Sequence, residues 1–212
     1  MQNHQNVLVI KRSVLRFLVL AVVVALPVIC IRVDIFYFNN NLGEISLTEF
    51  LQEGMLFIAT CLFASIAKNN PDVRHAYVLI AGFFACLLIR ELDALFDLIY
   101  HGFWVVPALV VAASAIRFAL TDKEKTVAGL SQHAQDKNNS SMMVGLAVLL
   151  IFSRLFGMGS LWEGLLGDEF VRAVKNVAEE GTEVLGYALM FYSALCYYVD
   201  FKRVKSESLS HK

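Results

Sequence analysis

Six apolar runs dominate this chain, and each is stopped by a charge before it could cross a bilayer unaided. They cover residues 17–31, 54–67, 76–89, 102–116, 142–153 and 184–199, 12 to 16 residues apiece. A spanning helix needs about 20 residues at ~1.5 Å rise per residue. The runs are therefore either buried helices of a soluble protein or membrane spans that carry charged residues into their ends. Composition decides between them. With 58% apolar and 17% charged residues and a mean hydropathy of +0.60, too little polar surface remains to coat a soluble globule.

The expected fold is an all-α integral membrane protein, a single polytopic domain over residues 1–212 built as a bundle of six transmembrane helices. With their polar ends included, the spans are expected at about 14–35, 48–67, 76–97, 101–120, 141–160 and 180–200. The positive-inside rule orients them. The N-terminus, the turn after the second span, the loop after the fourth and the C-terminus hold 13 of the 18 basic residues. Both termini are thus expected in the cytoplasm, in a plasma membrane of the bacterial inner-membrane type. Lys11, Arg12 and Arg16 before the first run resemble the start of a signal peptide. Pro27, Arg32 and Asp34 follow in place of a small-residue cleavage site, so the first run reads as an uncleaved span.

Two connecting segments carry their own signals. Residues 121–141 are polar and contain Asn138-Asn139-Ser140-Ser141, which predicts a flexible cytoplasmic loop. Residues 168–178 place Phe170, Val171, Val174, Val177 and Ala178 at helical spacing. They predict a short amphipathic helix at the outer interface, capped by Asp168 or running directly into the last span. Cys30, Cys61, Cys86 and Cys196 lie singly in apolar runs, as small apolar filler rather than a metal or dithiol site.

The ionisable residues are distributed unevenly in depth. Fourteen uncharged residues advance the third span ~21 Å before Arg90 and Glu91. Asp93 follows, then Asp97 and His101 near the outer surface. Counting inward on the second span puts Glu49 at the interface and Glu53 deeper. On the sixth span Glu180 is interfacial and Glu183 one turn deeper. At ~100° per residue, Arg90, Asp93, Asp97 and His101 form one stripe, Glu49 and Glu53 a second, and Asn176, Glu180, Glu183 and Tyr187 a third. Polar stripes facing lipid are costly, so the three helices are expected to turn them toward one another.

Carboxylates with one imidazole suit a divalent cation. The expected ligands are Glu53, Asp97, His101, Glu180 and Glu183, with Asp97 and His101 at i, i+4 spacing. Glu49, Arg90, Glu91, Asp93 and Tyr187 complete the polar cluster, and its crowded acids could also carry protons. A plainer role stands beside this one. Glu49, Glu179 and Glu180 occupy first turns, where acids favour the helix dipole. Arg90 with Asp93, Arg32 with Asp34, and Arg154 with Glu163 could be simple ion pairs, and His101 a cap.

Three functions fit. The first is a small ion- or proton-linked transporter. The second is a metal-dependent enzyme acting on a lipid-linked substrate at the outer face. The third is a non-catalytic membrane subunit or assembly factor. The expected partners are the bilayer and either copies of the same chain or a larger membrane complex. A net charge of −1 gives no nucleic-acid signal. One histidine within the spans excludes bis-histidine haem ligation, and neither a G-x-S-x-G elbow nor a Walker loop occurs.

Overall fold

The structure is a computed structural model, and it describes residues 2–38, 46–167 and 172–210. All regular elements among them are helical: α1 (Gln2–Phe36), α2 (Leu47–Asn69), α3 (Arg74–Glu91), α4 (Asp93–Asp97), α5 (Val105–Leu120), α6 (Lys123–Ala134), α7 (Asn139–Ala147), a π-helical turn (Val148–Phe152), α8 (Ser153–Phe156), α9 (Gly159–Leu166) and α10 (Arg172–Ser210). Four stretches are long and apolar enough to cross a membrane: Gln5–Phe36, Leu47–Asn69, Asn139–Phe156 and Arg172–Val204. A fifth appears if α5 and α6, bent by 107° at their junction, count as one broken span. The fold is thus all-helical with four to five candidate spans, compatible with a multi-pass membrane protein. The sequence expectation was six.

α10 is the axis of the bundle, and side-chain contacts fix the direction of its neighbours. On α2, Gln52 reaches Glu180 and Ser65 reaches Tyr198, so α2 runs parallel to α10. On α3, Tyr77 meets Tyr197 and Glu91 meets Tyr187, so α3 runs antiparallel. Asn138, just before α7, and Arg154 of α8 reach Asp200 and Glu179, again antiparallel. Ile31 of α1 lies against Gly181, while Arg16 is within electrostatic reach of Asp200. α5 returns along α3, with Cys86 on the Ala108 carbonyl and His75 stacked on Phe118. One end of the bundle therefore collects Asp34, Glu49–Glu53, Arg90, Glu91, Arg154 and Glu179–Glu183. The other collects Lys68, Arg74, His133, Lys137 and Asp200.

The core between α2, α3 and α10 is fully buried at Phe63, Tyr77, Phe84, Tyr187 and Met190. The tightest crossing joins the α7–α8 stretch to α10. A Cβ on Gly186 would stand 3.0 Å from the Gly145 carbonyl oxygen and 3.1 Å from the Leu149 nitrogen. These are backbone atoms that cannot move aside, so the pair of glycines sets the interhelical distance, as small residues do between membrane helices.

Several expected boundaries are corrected. The helix at the third expected span ends at Glu91 and does not continue to residue 97. α3 opens at Leu92 (φ −81°, ψ 20°) and α4 starts a new helix, so Asp93, Asp97 and His101 leave the stripe that contains Arg90. The expected flexible loop at 121–141 is mostly α6. Asp122 caps it by accepting from the Lys125 amide at 3.0 Å. Thr126, Gly129 and His133 form its buried stripe. That stripe is small and polar rather than aliphatic, which hid the helix from an apolar-period reading. A short helix does precede the last long one, but at α9. Of the segment 168–178, the part from Arg172 onward is the first turns of α10; Asp168, Phe170 and Val171 lie outside the described residues.

Candidate functional site

The acidic end is assembled by a cap supplied from another helix. The Asp34 carboxylate of α1 is completely buried. It accepts from the Leu47 and Thr48 amides at 2.7 and 2.9 Å and from the Thr48 hydroxyl at 2.5 Å. Ser46 Oγ accepts from the Glu49 amide at 3.1 Å. The N–H groups that a helix start leaves unpaired are thereby satisfied, and α2 is tied to α1. Asp34 is therefore a cap for α2 and not the partner of Arg32.

From that anchored end, Glu49, Gln52 and Glu53 project at i, i+3 and i+4. Glu49 lies within electrostatic reach of Glu180, Glu53, Asp93 and Glu91. Carboxylates of three helices thus lie within electrostatic reach of one another, but α3 contributes Glu91, and the Asp97–His101 part of the expected stripe is absent from this cluster. Two groups form within it.

The first group is paired. Arg154 Nη1 is 3.2 Å from Glu179 Oε1, and its Nη2 is 2.7 Å from Glu183 Oε1. That second contact is an ion pair without hydrogen-bond alignment, because Glu183 Oε1 has no hydrogen-bond donor. Arg90 approaches Glu183 at 3.8 Å and pairs with its neighbour Glu91. Tyr187 donates to Glu91 at 2.7 Å. Lys175 pairs with Glu179. Arg154 thus faces α10 instead of Glu163. Glu179 and Glu183, four residues apart, share the face of α10 that meets α8.

The second group lacks cations. Among the described residues no lysine or arginine lies within ion-pair distance of Glu49, Glu53 or Glu180. Glu180 points toward α2, where the Gln52 amide approaches its Oε2 at 3.5 Å. Gln52 is fully buried, and its carbonyl oxygen has no donor among the described residues. An acceptor left bare in a buried site is costly and calls for a partner. Sequence reasoning missed Gln52, although it lies three residues from Glu49 on the same face. It also placed Glu180 and Glu183 in one group, whereas α10 turns them to different neighbours.

Asp97 and His101 belong to neither group. The Asp97 carboxylate accepts from the Gly102 amide at 2.8 Å and faces His101 Nδ1 at 2.7 Å. The Gly102 amide and then the His101 ring hold the Asp97 carboxyl below the ordinary carboxylate range. Gly102 takes φ 83°, a conformation glycine adopts at no steric cost. The pair closes the exposed turn between α4 and α5, with the His101 side chain 98% exposed. Asp93 is also exposed. Among the described residues, no three His, Cys, Asp or Glu side chains are arranged to hold a metal ion. The five residues expected as ligands do not come together as one shell. The chain matches no family model, no curated protein and no solved structure.

Proposed function

We propose that this chain is a multi-pass membrane protein whose acidic end binds and exchanges protons, as the site of a small proton- or cation-linked transporter. The observation that carries the reading is the unpaired group. Among the described residues, three carboxylates on facing helices have no cation within ion-pair distance, Arg90 acting on Glu180 only from further away, and a buried carbonyl beside them has no donor. Two ionised carboxylates facing each other in a low dielectric repel strongly. A proton on Glu49 or Glu180 relieves that repulsion and supplies the hydrogen-bond donor that Gln52 lacks. A small monovalent cation would do both jobs through its charge.

In this reading all six rods cross the bilayer: α1, α2, α3, α5, the α7–α8 stretch and α10. Contacts that alternate in direction along the chain support it, with α6 lying along the interface. The basic flanks then put both termini in the cytoplasm of a bacterial inner membrane and the acidic end on the opposite side.

The test is proton movement in vesicles reconstituted with the purified protein, carrying a pH-sensitive dye and an imposed pH gradient. Wild type is expected to dissipate the gradient faster than protein-free vesicles, and Glu180→Gln to slow that toward background. Infrared spectra across a pH series should show a protonated-carboxyl band that Glu180→Gln or Glu49→Gln diminishes. A wild type that moves neither protons nor alkali cations and shows no such band defeats the reading.

A non-catalytic subunit of a larger membrane complex is the second reading. It rests on α1, whose residues Val7, Ile10, Leu15, Phe17 and Val22 are all about half exposed or more. Co-purification of a stoichiometric partner, lost on shortening α1, would favour it.

A further inference from the structure

A second site lies at the opposite end, away from the carboxylates. α2 and α5 both pack on α3 and leave a groove of about 640 Å³ between them. Small side chains cut it: Ala64 on α2, Ala81, Gly82 and Ala85 on α3, and Ala115 on α5. Gly82 sets the floor, since a Cβ there would stand 2.5 Å from the Ala115 Cβ. The two hydroxyls on the walls are spent on their own helices: Thr60 donates to Leu56 O at 2.8 Å and Ser114 to Val110 O at 2.7 Å. The groove is therefore apolar along its length.

Its mouth is cationic. Lys68, exposed in the last turn of α2, and Arg74, at the start of α3, both line it. Arg74 Nε donates to the Ala67 carbonyl at 3.2 Å, which fixes its guanidinium at that edge.

Length identifies the occupant. From the mouth the lining reaches Thr60 on α2, eight residues or ~12 Å away, and Ala85 on α3, eleven residues or ~16 Å away. Half of a hydrocarbon core is ~15 Å. A partner helix would need a groove about twice as long. We propose that this groove binds one acyl chain of an anionic phospholipid from the leaflet at the basic end, with the headgroup phosphate held by Lys68 and Arg74. Basic pockets between membrane helices recognise anionic headgroups by this chemistry. The inference requires the chain to sit in a bilayer and is independent of the acidic end.

The test uses full-length protein in detergent, titrated separately with phosphatidylglycerol and phosphatidylcholine, with bound lipid counted by native mass spectrometry. One phosphatidylglycerol is expected to be retained at about fivefold lower concentration than phosphatidylcholine, the weight of roughly one basic residue near an anionic surface. Lys68→Glu should abolish that preference while leaving the unfolding midpoint near wild type, because Lys68 is exposed. Ala64→Trp, which fills the groove from an exposed position, should weaken retention of both lipids. Equal retention of the two lipids by wild type overturns the proposal. So does a phosphatidylglycerol adduct unaffected by both variants. If Ala64→Trp instead converts a dimer to a monomer with lipid retention intact, the groove is an interface between copies and the proposal fails. Glu180→Gln should leave lipid retention unchanged, so loss of proton movement and loss of lipid binding can be told apart.

Discussion

The two ends of α10 use the same helix for opposite ends of a polarity scale. Near Glu179–Glu183 the acids outnumber the cations, and a buried amide oxygen is left without a donor. Near Tyr197–Asp200 the carboxylate and the hydroxyls find partners at home, while the buried His133 Nδ1 has none among the described residues. Asp200 is held by Lys137 at 2.8 Å and by the Asn138 amide at 3.2 Å. Ser193 donates to the Asn138 carbonyl at 2.7 Å. Tyr77 and Tyr197 hydrogen-bond through their hydroxyls, and Phe63, Phe84 and Phe201 pack around them. The imidazole of His133 sits edge-on to Phe63, Tyr77 and Tyr197, with Asp136 the charged group within electrostatic reach. What is confined to the acidic end is the excess of carboxylates over cations, and it is hard to ascribe to packing alone, since packing at the other end is achieved without it.

The largest test of this contrast removes the anchor of the acidic end. Asp34→Ala leaves the buried Thr48 amide, the part-buried Leu47 amide and the Thr48 hydroxyl without their acceptor, and is expected to cost about 3 kcal/mol. Asp34→Asn, which keeps one carbonyl oxygen, should cost less. Unfolding in mixed detergent reads both. If Asp34→Ala is as stable as wild type, α2 is not held from α1, and Glu49, Gln52 and Glu53 have no fixed placement.

Next in size is Arg154→Ala, which leaves Glu179 with Lys175 and Glu183 with only the more distant Arg90. Breaking a fully buried pair costs about 3–5 kcal/mol, but Arg154 is 46% exposed on its side chain, so about 2 kcal/mol is expected. The double variant Arg154→Ala/Glu183→Gln should recover much of that loss, because the uncompensated charge is gone. A double variant no more stable than the single one would mean that Arg154 acts by packing and not by charge. At the aromatic end, Tyr77→Phe removes one hydroxyl and breaks no ion pair. It should cost only about 1 kcal/mol. A larger loss there than at Arg154 would reverse the contrast between the ends.

Much of the acidic end was legible in the sequence because helical geometry alone fixes spacing and angle along each helix. Glu49, Glu53, Glu91, Glu180 and Glu183 do approach one another from α2, α3 and α10. What could not be read was which neighbour each would choose. Glu179 and Glu183 turn to Arg154 because the α7–α8 stretch is drawn against α10 by Gly145 and Gly186, a contact between segments about 40 residues apart. Asp34 was legible as an acid near an interface but not as a cap thirteen residues upstream of its first amide. α6 stayed hidden because its buried face is Thr126, Gly129 and His133. The break at Leu92, which sends Asp97 and His101 out of the stripe, has no proline or glycine to announce it.

The smallest effect concerns that displaced pair, and it separates an exposed, satisfied acid from the half-buried ones that lack an ion pair. Asp97 is held below the ordinary carboxylate range by the Gly102 amide and the His101 ring. A depressed folded-state value means that its contribution to stability is present above the ordinary aspartate range and is lost as pH falls through the lower, folded value. The Gly102 amide, 2.8 Å from Oδ1, is the reporter. Its nitrogen and proton shifts in isotope-labelled protein should titrate with a midpoint below that of a free aspartate, and Asp97→Asn should abolish the transition. The same variant is expected to leave proton movement in vesicles unchanged, whereas Glu180→Gln slows it. If Asp97→Asn instead suppresses proton movement while Glu180→Gln does not, the working acids are those of the exposed turn, and the surplus between α2 and α10 is structural.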